Sequence, residues 1–253
     1  VGKLLGTTAL GLYQLAYRIS NMPATEITHV ISQVTFPAYS KLQDNIEKLR
    51  EAYLRVLQVT AFLSFPLAGL IFVLAPDFTR IFLGEKWMPM VPAMQVLAVF
   101  GLIRSIGATT GPLFQAVGRP DVATRLQFVR LILIIISIYP LTLEWGILGT
   151  SLAVVLSALV VNPLTNLLAI RTTQCKVSEF GKMIGLPLLG TIAMVAPILA
   201  FKYYLFGSIK LSLFFVFIAI ALIVYCGMIY LFDWLFDYNI KVIKRQLSAI
   251  KGG

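Results

Sequence analysis

Apolar runs of about twenty residues recur along the chain, separated by short polar stretches, and each run is long enough to cross a bilayer as a helix at about 1.5 Å rise per residue. The pattern predicts seven such spans. The first, Leu12–Phe36, is unlike the rest because it carries Gln14, Arg18, Asn21, Glu26, His29 and Gln33. At about 100° per residue, Gln14, Arg18, Asn21, Thr25, His29, Ser32 and Gln33 fall on one face with Glu26 at its margin. Ala16, Ile19, Pro23, Ala24, Ile27, Val30, Ile31 and Val34 cover the remainder. A charge facing lipid costs about 2.5–3.5 kcal/mol or more, so this polar stripe should face a water-filled cavity or another helix.

The next stretch, residues 41–55, has Asp44 and Glu47 at capping-box spacing and Leu42, Ile46, Leu49 and Tyr53 at helical spacing, which predicts a short surface helix. It feeds a second span over Leu54–Leu74, which Pro76 should end. Gly84, Trp87, Pro89 and Pro92 mark the following connector as turns with an interfacial aromatic anchor. The third span covers Val91–Val117 and the fourth Val122–Leu143, and a tight turn at residues 144–146 leads into the fifth, Ile147–Ile170. Met183–Tyr204 and Leu211–Phe232 complete the seven. Residues 234–253 form a basic amphipathic tail, with Phe236, Ile240, Ile243, Leu247 and Ile250 on one side and Lys241, Lys244, Arg245 and Lys251 towards the other. Such a tail is expected on the cytoplasmic membrane surface.

Composition fixes the class. The 253 residues are 58% hydrophobic and only 13% charged, with mean hydropathy +0.87, whereas a soluble domain carries about 25% charged residues. The fold class is therefore all-α: a single polytopic transmembrane helical domain over residues 1–253. The net charge of +10 does not indicate nucleic acid in a chain with no soluble basic face; it is the orientation signal of loop ends. Fourteen of the 21 basic residues fall on the side of the 41–55 loop and the C-terminus, five on the other, and Arg18 and Arg104 lie inside spans. The majority side is expected to be cytoplasmic, which places Val1 near the outer side. A chain beginning at Val1, with VGKLLG reading as the tail of an earlier segment, suggests part of a longer protein. Cys175 and Cys226 suggest neither a disulfide framework nor a metal site, and no CxxC, HExxH, GxSxG or P-loop pattern is present.

Arg104 is the most informative single residue, about thirteen positions and so about 20 Å from either end of its span. Snorkelling does not carry it out from that depth. Leu97, Gly101, Ala108, Gly111 and Gln115 share its face, leaving room around the guanidinium. A cation there suits an anionic substrate; the alternative is an arginine held by backbone carbonyls or a carboxylate. Arg18, on the polar stripe, is the second candidate, since the planar guanidinium fork donates paired hydrogen bonds to phosphate, although it is shallow enough to snorkel. Gln33 and Gln115 would add cavity hydrogen bonds. Glu26 and His29, three apart on one helix, form a possible proton-coupling pair or a self-satisfied structural one. Arg125 and Arg130 read as orientation charges, with Arg130 also placed to attract a headgroup from the cytoplasm. Asn162, Pro163 and Asn166 read first as a packing kink.

Several stretches together, VGKLLGTTALGLYQLAYRISNMP, FPAYSKLQDNIEKLREAYLR, FPLAGLIFVLAPDFTRIFLGEKWMPMVP, GPLFQAVGRPD and WGILGTSLAVVLSALV, resemble the second half of bacterial polysaccharide exporters of the Wzx type. These are O-antigen flippases within the multidrug/oligosaccharidyl-lipid/polysaccharide superfamily. The resemblance covers residues 1 to about 172. It implies two helical bundles around a central cavity, of which this chain supplies most of the second, the first being an N-terminal bundle of the same protein. It implies movement of an undecaprenyl-pyrophosphate-linked oligosaccharide across the bacterial cytoplasmic membrane by alternating access, among membrane lipids, without a cofactor and with possible proton or sodium coupling. Cationic cavity residues would hold the pyrophosphate or acidic sugars, a requirement that Arg18 and Arg104 fit by type and depth. A drug or cation antiporter of the same superfamily would want acidic cavity residues, and Glu26 alone lies well inside a span. A membrane glycosyltransferase or polymerase would want grouped carboxylates, but Asp77, Glu85 and Glu144 are scattered among outer connectors. A retinal-type receptor would need a lysine in the seventh span, which has none.

Overall fold

The computed structural model describes residues 1–205 and 211–236, and the basic tail expected over 234–253 lies almost wholly outside them. The described residues form α1 (Gly2–Leu42), α2 (Ile46–Phe78), α3 (Val91–Ala108), α4 (Thr110–Ala116), α5 (Pro120–Thr173), α6 (Val177–Leu205) and α7 (Leu211–Phe236). A π turn over Thr79–Leu83 and a 3-10 turn over Glu85–Met90 link α2 to α3. Five helical stretches are long and apolar enough to cross a membrane: Ile46–Leu83, Glu85–Ala116, Pro120–Thr173, Val177–Lys202 and Leu211–Leu231. α1 is long enough to cross but too polar to join that set.

α5 makes two crossings. A straight helix of its 54 residues would be about 80 Å long, far beyond any bilayer. Gly146, at φ 58° and ψ −134°, folds it back on itself. The Thr142 and Thr150 hydroxyls meet at 2.9 Å, and Arg130 Nη2 donates to Asn162 Oδ1 at 3.1 Å. Both pairs are centred on residue 146, the register of an antiparallel helical hairpin. Gly149 permits the fold, since a Cβ there would lie 1.7 Å from the Leu141 carbonyl oxygen. With α1 this gives the seven passes that the apolar runs predict.

Three local expectations change. No separate surface helix covers 41–55: α1 continues to Leu42, and α2 starts at Ile46 and runs on into the membrane. Its cap is Asn45, whose side chain accepts from the Lys48 N–H, in place of the Asp44–Glu47 box. Pro76 does not end α2 but sits inside it, as does Pro66. The third span is broken at Thr109, three residues before Pro112, whose missing N–H and bulky ring disturb the preceding turn. The Thr109 and Thr110 hydroxyls turn back onto the carbonyls of Ile106 and Gly107.

The helices approach closely where their residues are small, as expected where lipid removes the hydrophobic drive and close packing must hold helices together. α1 buries Ala16, Ser20, Asn21, Ala24 and Thr28. A Cβ on Gly101 of α3 would come within 3.2 Å of the Ser20 carbonyl oxygen, and Ser20 Oγ donates to the Met94 carbonyl at 2.7 Å. Gly69 of α2 admits Thr191 of α6. Tyr39, Leu49, Tyr53, Leu57, Phe114 and Ile170 tie together the ends of α1, α2, α4 and α5. Cys175, placed by sequence in a polar loop, is buried in this cluster as a free thiol. At the far end, Asp77, expected on an outer connector, forms an ion pair with Lys202 near the end of the sixth predicted span, joining α2 to α6.

Candidate functional site

The break at Thr109 and the fold at Gly146 together make a cavity of about 220 Å³ between α3, α4 and both arms of α5. α3 contributes Arg104, Gly107 and Ala108, α4 contributes Gly111, and the two arms of α5 contribute Gln127 and Arg130 from one side and Asn162 and Thr165 from the other. Two guanidiniums line this cavity and no carboxylate does. Arg130 is ten residues into α5, about 15 Å from its start, which is half the thickness of a hydrocarbon core. Arg104 is at similar depth from the other direction.

Each arginine is held at one point and open elsewhere. Arg104 Nη1 donates to Thr25 Oγ1 of α1 at 3.2 Å, so the cavity cation is tethered to the polar stripe. Arg130 Nη2 is held by Asn162, while Arg130 Nε and Asn162 Nδ2 are buried without a hydrogen-bond partner. Asn162 comes this close because Gly107 has no side chain: a Cβ there would sit 2.5 Å from Asn162 Oδ1. Unpaired buried donors are costly. Gathered at one cavity beside two positive charges, they describe a place for an anion, since carboxylate and phosphate oxygens accept several N–H donors at once.

The residues expected from sequence divide into two groups. Arg104 lies in the cavity with Ala108 and Gly111, but Leu97 is fully buried elsewhere, and Gln115 is exposed and outside the cavity. The α1 stripe separates: Asn21 turns into the bundle, whereas Gln14, Arg18, Thr25, Glu26, His29 and Gln33 stand on an exposed face together with Met22, Val30 and Val34. Among the described residues no ion pair joins Glu26 to His29, and no group of three or more His, Cys, Asp or Glu could hold a metal. Arg130 and Asn162 also line the cavity, although the sequence reads Arg130 first as an orientation charge that also attracts a headgroup and Asn162 first as part of a packing kink. The depth of Arg130, about 15 Å into α5, is the sequence signal that favours its headgroup-attracting reading over the orientation one.

Residues 1–92 match the polysaccharide biosynthesis protein family. The chain is similar to the lipopolysaccharide biosynthesis protein WzxC of Escherichia coli, with 31% identity over 169 residues, 67% of this chain and 34% of that protein. Two thirds of the chain thus resemble a Wzx protein. The teichuronic acid biosynthesis protein TuaB of Bacillus subtilis is 37% identical over 124 residues, 49% of this chain and 26% of that protein. A probable flippase of Haloferax volcanii, AglR, is 28% identical over 166 residues, 62% of this chain and 34% of that protein. The chain spans about a quarter to a third of the length of these curated proteins. Its fold is that of the lipid II flippase MurJ in an inward closed conformation: TM-score 0.73 at 17% identity, over 89% of this chain and 47% of that one. It is a multi-pass membrane protein.

Proposed function

We propose that the protein containing this chain carries a lipid-linked oligosaccharide across the bacterial cytoplasmic membrane by alternating access, for export of surface polysaccharide. The observation that carries the reading is the cavity near mid-membrane depth with Arg104 and Arg130 on its walls and no acidic residue beside them. Arginine stays charged at any accessible pH and grips phosphate or carboxylate through paired N–H donors. The anionic part of an undecaprenyl-pyrophosphate-linked glycan is the ligand such a site would take, and relatives named for lipopolysaccharide and teichuronic acid biosynthesis and as a probable flippase support the reading. The cavity alone is too small for a glycan, so it holds one anionic group while the sugars extend along the exposed polar face of α1. Arg18, Gln33 and the Arg104–Thr25 contact belong to that face. A second helical bundle would close over it, completing the path. Glu26 and His29, exposed to the same path, are the groups through which a proton could enter the cycle. The role is transport; nothing in the reading assigns this chain a catalytic step.

A cation antiporter would instead place a carboxylate in the binding cavity, and none lines this one. The test is appearance of the lipid-linked repeat unit in the outer leaflet of cells whose genomic copy carries Arg104→Ala, Arg104→Lys, Arg130→Ala or Arg130→Lys. Membrane abundance is measured alongside. The proposal expects each alanine variant to export at least about tenfold less at normal abundance, roughly the loss of one charge-assisted hydrogen bond, with lysine restoring part of it. Normal export by both alanine variants would refute the site, and absence of glycan-lipid export by the wild type would refute the function.

A further inference from the structure

α2 carries two prolines, Pro66 and Pro76, within its 33 residues. A proline inside a helix leaves the carbonyl four residues earlier without its N–H donor and bends the helix there. In hydrocarbon such a carbonyl has no water to turn to. For Pro66 the freed group is the Phe62 carbonyl, and Tyr225 Oη of α7 donates to it at 2.9 Å. For Pro76 it is the Phe72 carbonyl, which accepts from Gln95 Nε2 of α3 at 3.0 Å. The next carbonyl in that opened turn, Val73, accepts from Lys202 Nζ of α6 at 2.9 Å, and the same ammonium pairs with Asp77.

Both proline-freed carbonyls of α2 are therefore capped by a side chain from another helix. The other helices also contain prolines: Pro23 and Pro37 in α1, Pro140 and Pro163 in α5, Pro187 and Pro197 in α6. Among the described residues none of their freed carbonyls receives a side-chain donor. The arrangement is built as well as present. Gly190 of α6 leaves room for the Tyr225 ring, which a Cβ would approach to 3.1 Å. Tyr225 is buried, with its ring 5.5 Å from that of Phe62. α2 packs against α1, α3, α6 and α7, so a bend in it displaces every one of these neighbours.

We propose that α2 is the bending helix of this half of the transporter, hinged at Pro66 and Pro76, and that Tyr225, Gln95 and Lys202 are positioning residues that latch it in the form seen here. Each latch comes from a different helix, so α3, α6 and α7 follow α2 when it bends. The inference rests on the transport reading for its functional arm and on the hydrogen bonds alone for its structural arm.

The experiment is a double-mutant cycle between Tyr225→Phe and Pro66→Ala in the full-length protein, with Gln95→Met and Pro76→Ala as an independent second cycle. Thermal stability of the purified protein and export are both read. Tyr225→Phe removes only the hydroxyl, so the protein folds but is expected to lose several degrees in Tm and about tenfold in export. Pro66→Ala returns an N–H to the Phe62 carbonyl, so in the double variant the hydroxyl is no longer needed and Tm recovers. Export stays low in the double variant and in Pro66→Ala alone, because the hinge has been straightened. Recovery of both readouts would mean that the hydroxyl only satisfies a carbonyl, and would overturn the hinge. Unchanged Tm in Tyr225→Phe would overturn the latch. Failure of the wild type to export would remove the transport reading while leaving the Tm cycle intact as a test of the latch.

Discussion

Asn162 is placed unevenly: its oxygen fixes the Arg130 guanidinium, while its amide nitrogen is buried without a hydrogen-bond partner. Replacing it by leucine keeps the volume but removes the acceptor, at a cost of about 1.5–3 kcal/mol for a hydrogen bond to a charged group. Thermal unfolding of Asn162→Leu should show that loss, and export should fall with it. Gly107→Ala reaches the same contact from the opposite wall. Its methyl would sit 2.5 Å from Asn162 Oδ1, so the amide must swing away, costing about 1–3 kcal/mol in strain. Because both changes break one hydrogen bond, the double variant should be clearly less destabilised than the sum of the single ones. An additive result in thermal unfolding would show that Gly107 and Asn162 act on different contacts. Arg104 was visible in the sequence because a lone charge deep in an apolar run has no ordinary explanation. Arg130 was masked by company: Arg119 and Arg125 precede it, and a series of basic residues at a helix start reads as an orientation signal.

The hairpin of α5 depends on two glycines for different reasons. Gly146 adopts φ 58° and ψ −134°, which a side chain tolerates only with about 1–3 kcal/mol of strain. Gly149 has an ordinary helical position but no space, with the Leu141 carbonyl where its Cβ would be. Gly149→Ala must force the arms apart, separating Arg130 from Asn162 sixteen residues from the turn, and is expected to abolish normal membrane abundance. Gly227→Ala in α7, where a Cβ meets nothing within 4 Å, should leave abundance unchanged and serves as the control. Quantitative immunoblotting of isolated membranes decides both. The turn at 144–146 and the run of helices were legible because hydropathy and turn chemistry are local. The passage of α2 through Pro66 and Pro76 was not, because what makes those prolines tolerable is supplied by Gln95, Lys202 and Tyr225, at 23 to 163 residues' remove. The break at Thr109 was missed for the opposite reason: Pro112 was the local signal, and the apolar run continued across it.

The bundle as a whole is joined at one end by the Asp77–Lys202 pair, with the carboxylate almost fully buried and the ammonium partly exposed. Removing one partner of a buried pair strands the other and costs about 3–5 kcal/mol, whereas removing both is much cheaper. Lys202→Met and Asp77→Leu should each lower thermal stability sharply, with the double replacement lying nearer to wild type than either. Seen along the whole molecule, polarity is uneven: α2 to α7 carry their apolar side chains outward, as at Ile135, Ile136, Ile192 and Ile223, while α1 exposes Arg18, Glu26 and His29. That contrast bears on biosynthesis. A segment leaving the translocon is tested against lipid by its own side chains, and charged groups such as Arg18 and Glu26 count against its release into the bilayer. α1 buries Ala16, Ser20, Ala24 and Thr28 only once α2 and α3 exist to receive them. Within this stretch α1 emerges from the ribosome before the two helices that bury its small-residue face.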